Sequence, residues 1–211
     1  MDDDFFSTIK EFRETKPSHI LIIKAFKEIK PSSQNWCSYV IIFLLSAYTA
    51  ASISFAKETV ELVSVIAHHL IEIQLAIFGC IFAVYSILLA FLSDGYMKRL
   101  ARIKEKDKTS MLKNSITYYE SVLFLYFISI ISSGALIVLT DFLPFDASLT
   151  SNLMLDNVLS AIGLLVYLLY CFRVIYEVKS TIYNTIVLFR ASIAYRFIDF
   201  LEEESNSESK L

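Results

Sequence analysis

Four glycines and three prolines are all that 211 residues contain, too few for a loop-rich sheet or a flexible low-complexity chain. Cysteine is equally sparse. Cys37, Cys80 and Cys171 stand singly and far apart, so they read as packing residues rather than a disulfide framework or a thiolate metal cluster. Charged residues make up only 19% of the chain and nearly cancel, at a formal net charge of -3. Phosphate neutralisation requires a strongly basic face, so direct nucleic-acid binding is not expected. The phosphate-loop, GxSxG, DxDxG and CxxC patterns are missing as well, and with them the usual signs of nucleotide, acyl-transfer or thiol chemistry. No enzyme activity, catalytic residue, cofactor or resident metal is therefore expected.

What the chain has in abundance is apolar surface: 55% hydrophobic and 14% aromatic residues, with a mean hydropathy of +0.56. These residues come in long unbroken runs instead of the alternation of a β-barrel. The expected fold class is all-α, an integral membrane four-helix bundle with long cytoplasmic helical extensions.

A bilayer core about 30 Å thick needs about 20 residues of helix, and an ionised group at its centre costs several kcal/mol. Charge-free windows of that length fall at residues 37–56, 73–93 and 121–140. A fourth, 157–172, lies between Asp156 and Arg173 and extends in apolar character to 155–176. The arginine there is placed to snorkel to its headgroups. Residues 37–176 thus read as the membrane domain.

Lys and Arg number 6 in residues 1–36, 7 in 94–120 and 5 in 173–211, against 1 in 57–72 and none in 141–156. The positive-inside rule then puts both termini and the basic loop 94–120 in the cytoplasm. The outer segments are acidic, with Glu58, Glu61 and Glu72 in one and Asp141, Asp146 and Asp156 in the other. The chain opens on Asp2, Asp3 and Asp4 rather than a basic n-region, so no cleavable signal is expected.

Within residues 1–36, Ile22, Ala25, Phe26 and Ile29 share one helical face and Lys24, Lys27, Glu28 and Lys30 the other. This predicts an amphipathic helix lying on the membrane or on the protein's own surface, ended by Pro31, with Trp36 in the aromatic belt. The second span is expected within a helix running from Glu58 to about Lys104, longer than the bilayer. After the fourth span, a cytoplasmic extension over 177–204 places Val178, Ile182, Ile186, Phe189, Ile193, Phe197 and Phe200 at helical spacing. Such a stripe has to be covered by the membrane face, other subunits or a soluble partner, and it is the candidate docking surface. Residues 205–211 have the composition of a solvated tail. Small residues four apart, Ser46 with Ala50 and Ser54, Ala47 with Ala51, Gly79 with Ala83 and Ser129 with Ser133, predict close helix contacts.

Two further groups merit a functional reading. On the outer side, His68, His69 and Glu72 stand at helical spacings of four and three, which fits either a proton-sensitive or metal-holding group or a hydrated helix face. At the inner boundary, Arg173 with Glu177 and Asp94 with Lys98 are i,i+4 pairs where span and extension join. They are candidate coupling points between bilayer and cytoplasm. Hydroxyls at Tyr48, Thr49, Ser52, Tyr85, Ser86, Tyr126, Ser129, Ser132, Ser133, Tyr167 and Tyr170 read as helix contacts or as the lining of a wet path.

In length and topology, and in stretches such as GCIFAVYSILLAFLSDGY (79–96) and CFRVIYEVKSTIY (171–183), the chain resembles the membrane subunit of the Kiwa bacterial anti-phage defence system. The resemblance is architectural and carries no functional residues across. It implies a homo-oligomeric membrane sensor that recruits a soluble DNA-binding partner to the cytoplasmic face. The expected partners are the lipid bilayer, further copies of the chain and a soluble cytoplasmic protein. The function expected is therefore a non-enzymatic sensor and scaffold that detects envelope perturbation, with an oligomeric ion channel as the alternative.

Overall fold

The computed structural model describes residues 23, 25–26, 36–91, 100, 111–144 and 152–208, with 91, 111, 199 and 202–208 as backbone only. The described elements are α1 (Trp36–Ser54), α2 (Thr59–Phe91), α3 (Met111–Phe142), α4 (Leu153–Tyr176) and α5 (Val178–Glu208). No strand occurs among the described residues. Four helical segments are long and apolar enough to cross a membrane: Trp36–Ser54, Thr59–Ala90, Leu112–Phe142 and Leu153–Ile198. The chain is an all-α, multi-pass membrane protein. Most of the predicted amphipathic segment and the Asp94–Lys98 pair lie outside the described residues.

α2 starts at Thr59, where the long helix expected from Glu58 begins and well before its charge-free window at 73, whereas α3 starts at Met111, ten residues inside the expected basic loop. A charge-free window measures hydrocarbon thickness, whereas backbone hydrogen bonding continues wherever helix formers do. The helix after the fourth span begins after a single turn residue, Glu177, and it runs to Glu208. Residues 205–208, expected as tail, therefore continue α5.

Each end has a local cause. Thr59 turns its hydroxyl back to the carbonyls of Ala56 at 2.9 Å and Ile53 at 3.2 Å, closing the short connection from α1 to α2. Asn152 caps α4, its side-chain oxygen accepting from the Met154 amide at 3.0 Å. Asn152→Ala should cost about 1 kcal/mol, read as a lower unfolding midpoint in detergent, and Asn152→Asp should restore it.

The chain divides into two compact units. One comprises 26–79 and 124–178, the other 1–25, 80–123 and 179–211. In the first unit Ala50, Ile53, Val63, Leu70, Leu164, Leu168 and Cys171 form the buried cluster, and α1 packs on α4. The predicted small stripe Ser46–Ala50–Ser54 is buried, with Ser54 Oγ 3.5 Å from Ser160 Oγ. Gly79 behaves differently, since a Cβ there would meet nothing within 4 Å. That pair does not form a close helix contact. In the second unit Leu88, Leu100, Leu112, Tyr119 and Leu188 are the buried core, with Tyr85 and Tyr195 against it.

The buried positions of α3 include a series spaced by seven, Leu112, Tyr119, Tyr126, Ser133 and Thr140, interleaved with Val122 and Ser129, and Ser121 and Leu125 are buried beside it. On α2 the same rhythm gives Val63, Ala67, Leu70, Gln74, Ile81 and Leu88. A seven-residue seam is the pattern of left-handed helix packing at shallow crossing angles.

Candidate functional site

The seams of the first unit converge on a polar core. Gln74 on α2 is fully buried, and its Oε1 accepts from Ser133 Oγ of α3 at 3.1 Å. Ser133 in turn shares a 2.8 Å hydrogen bond with the Tyr167 hydroxyl of α4. Ser129 Oγ lies 3.7 Å from the Cys171 thiol, which also neighbours Gln74 and Tyr167. Among the described residues Gln74 Nε2 is buried with no nitrogen or oxygen partner and only the soft Cys171 sulfur beside it, and Ser46 Oγ on α1 is buried with no partner. An unsatisfied amide costs about 1–3 kcal/mol, so Gln74 contributes less to stability than its burial implies. Gln74→Leu should leave thermal stability unchanged or raise it by about 1 kcal/mol. Ser133 keeps Tyr167 as its partner in that variant, and a clear loss of stability would mean that the amide is satisfied after all.

Two tyrosines tie α3 to α4 reciprocally. Tyr126 donates to the Val174 carbonyl at 3.0 Å, and Tyr170 donates to the Leu125 carbonyl at 2.9 Å. Val174 sits where α4 gives way to the turn at Glu177, whose amide also donates to it at 3.1 Å.

One turn further, the predicted pair Arg173 and Glu177 forms an ion pair, Nη1 to Oε2, at 2.6 Å, with the two side chains only 11% and 10% exposed. The guanidinium lies 5.1 Å from the Tyr39 ring centre and 5.7 Å from that of Tyr176. Tyr176 reaches Ser38 Oγ at 3.1 Å. A charged pair this enclosed is held by hydrogen bonding and by aromatic faces in place of water. The sequence shows the i,i+4 spacing, but the enclosure comes from α1, which brings Tyr39 across.

The outer group is less enclosed. His69 Nδ1 lies 3.8 Å from Glu72 Oε2, but both side chains are more than 70% exposed. His68 turns the other way, its Nδ1 against the Ser64 carbonyl at 2.9 Å on its own helix. The three predicted residues are thus not gathered on one partner, and among the described residues no group of three or more His, Cys, Asp and Glu side chains could hold a metal ion. An exposed His–Glu pair is worth only about 0.3 kcal/mol.

The docking stripe on α5 faces outward. Ile182, Ile186, Ile193, Phe197 and Phe200 are between 45% and 66% exposed, while Val178 and Phe189 are half-buried. The face of α5 that packs internally is a different one, Thr181, Leu188 and Ser192, with Thr185 between them. Tyr119 reaches Thr185 at 2.8 Å and Tyr118 lies 3.4 Å from the Thr181 hydroxyl.

No protein-family model, curated protein or solved structure matches this chain. The functional reading therefore rests on the residues themselves.

Gln74 leaves no mark in the pattern of charges that delimits the spans, because an amide carries none. The signal was nevertheless present: Gln74 falls in the seven-residue register of Ala67, Leu70 and Ile81. A polar residue at a seam position of a membrane helix is the mark of an interhelical contact.

Proposed function

We propose that this chain is a non-enzymatic sensor and scaffold of the bacterial inner membrane, with both termini in the cytoplasm, that acts in anti-phage defence. Perturbation of the envelope alters helix packing within the membrane, and α5 passes the change to a soluble cytoplasmic protein. The observation that carries the reading is the outward stripe of α5. It leaves five large apolar side chains uncovered on a helix whose internal contacts are already made by Thr181, Leu188 and Ser192. The charge asymmetry, with 18 of 19 basic residues on one side of the predicted spans, supports the orientation.

The test uses Phe197→Glu with Phe200→Glu, both at exposed positions. Wild-type protein purified in mild detergent from native-level expression should bring down a stoichiometric soluble companion, and cells carrying it should resist phage. The double variant should insert normally yet lose both. Retention of both by the variant would sink the proposal.

A second reading, an oligomeric ion channel, has one observation in its favour: Gln74, Ser129 and Ser133 place fully buried polar groups in one seam. Ion flux in reconstituted liposomes that Gln74→Leu abolishes would favour the channel over the scaffold.

A further inference from the structure

After Gly163 the chain contains neither glycine nor proline, yet the helix that follows is in two pieces, α4 ending at Tyr176 and α5 beginning at Val178. A break without either residue points to a group inserted into the hydrogen-bond ladder. In an uninterrupted α-helix the Val174 carbonyl accepts from the amide four residues on, that of Val178. Here it accepts from the Glu177 amide, three residues on, at 3.1 Å, and from the Tyr126 hydroxyl of α3 at 3.0 Å. Tyr126 and Val174 are both 0% exposed, so water cannot stand in for either partner. Tyr126 and residues 174–178 all belong to the unit of 26–79 and 124–178.

Two neighbouring contacts show what is particular to this one. The Arg173–Glu177 pair crosses the break at the i,i+4 spacing of a regular helix, so it does not require the break. Tyr170 donates to the Leu125 carbonyl at 2.9 Å, while α3 runs on unbroken from Met111 to Phe142. A hydroxyl bond alone therefore does not part a helix. At Val174 the amide of the tightened turn takes the carbonyl as well, and a carbonyl has only two lone pairs to offer.

We propose that the Tyr126 hydroxyl is a wedge that keeps α4 and α5 two helices, drawing the Val174 carbonyl toward α3, and that this joint is a switch. Without the wedge the carbonyl passes to the Val178 amide and the two helices run on as one. The change trades one amide partner for another at a single carbonyl, so the two forms lie close in free energy and a small bias decides between them. The joint stands on its own geometry. Its use, to set the state of the α5 stripe for a soluble partner, rests on the sensor reading above.

Backbone hydrogen exchange of the full-length protein in detergent, resolved by residue across 174–180, tests the joint. Tyr126→Phe removes the hydroxyl and keeps the ring, and it should slow exchange of the Val178 amide about tenfold, the equivalent of one hydrogen bond gained. A tyrosine that merely braces α3 against α4 gives the opposite sign, because losing its bond loosens both helices. Tyr170→Phe removes the matching bond and should not slow Val178. Unchanged or faster exchange of Val178 in Tyr126→Phe, or equal slowing by Tyr170→Phe, would overturn the joint. The Tyr126→Phe protein should also lose the soluble companion that wild type brings down. Retention of that companion with Val178 slowed would overturn the switch, whereas a wild type without any companion would sink the sensor reading, and the switch with it, while the joint stands.

Discussion

Arg173→Ala should lower the stability of the purified protein by about 3 kcal/mol, because it strands the Glu177 carboxylate in an enclosure that water barely reaches. The figure sits at the low end for a buried pair since each side chain keeps about a tenth of its surface exposed. Part of the loss is the guanidinium's contact with the Tyr39 and Tyr176 rings. The sharper expectation concerns the double replacement. Arg173→Met with Glu177→Met removes both charges and refills the volume, so it should recover most of what the single change loses. Unfolding midpoints of wild type, Arg173→Met, Glu177→Met and the double variant in one detergent form a double-mutant cycle. Additive losses would mean that the two side chains do not act as a pair.

Tyr119 carries the second large effect. It is 1% exposed, it stacks near Tyr85 at 5.9 Å between ring centres and meets Tyr118 edge-on at 5.6 Å. Its hydroxyl lies 2.8 Å from that of Thr185. Tyr119→Ala removes a whole ring from the core of the second unit and should cost about 3–5 kcal/mol. Tyr119→Phe loses only the hydroxyl and should cost about 1 kcal/mol. Hydrogen exchange measured along α5 separates the two: the alanine variant should deprotect the turns around Leu188, while the phenylalanine variant leaves them protected. Equal protection in both would show that the ring is not what holds α5.

The all-α membrane architecture was legible because the hydrocarbon core tolerates few ionised groups, and the gaps between Glu72 and Asp94 or between Glu120 and Asp141 read as spans. The start of α3 was not. Met111 to Glu120 is rich in polar side chains, yet it continues α3, because the sequence there contains neither glycine nor proline to stop it. The α5 stripe was legible as a helical repeat, but not which face would be covered. The internal face uses Thr181, Thr185 and Ser192, residues whose hydroxyls look solvent-directed until Tyr118 and Tyr119 are placed opposite them. The Arg173–Glu177 pair was visible from spacing alone, while its aromatic enclosure depends on Tyr39, 134 positions away, and no local pattern encodes that.

The reciprocal tyrosine bonds between α3 and α4 have a kinematic consequence. Two apolar helices in lipid have little reason to prefer one axial setting over another displaced by a turn of about 5.4 Å, since each knob finds an equivalent hole. Here the setting is indexed at three levels, by Tyr126 on Val174, Tyr170 on Leu125 and Ser133 with Tyr167. A slide of even one turn breaks all three at once and leaves their oxygens without water to replace them. α3 and α4 are thus locked in translation within this unit, and any displacement there carries both helices together as one body.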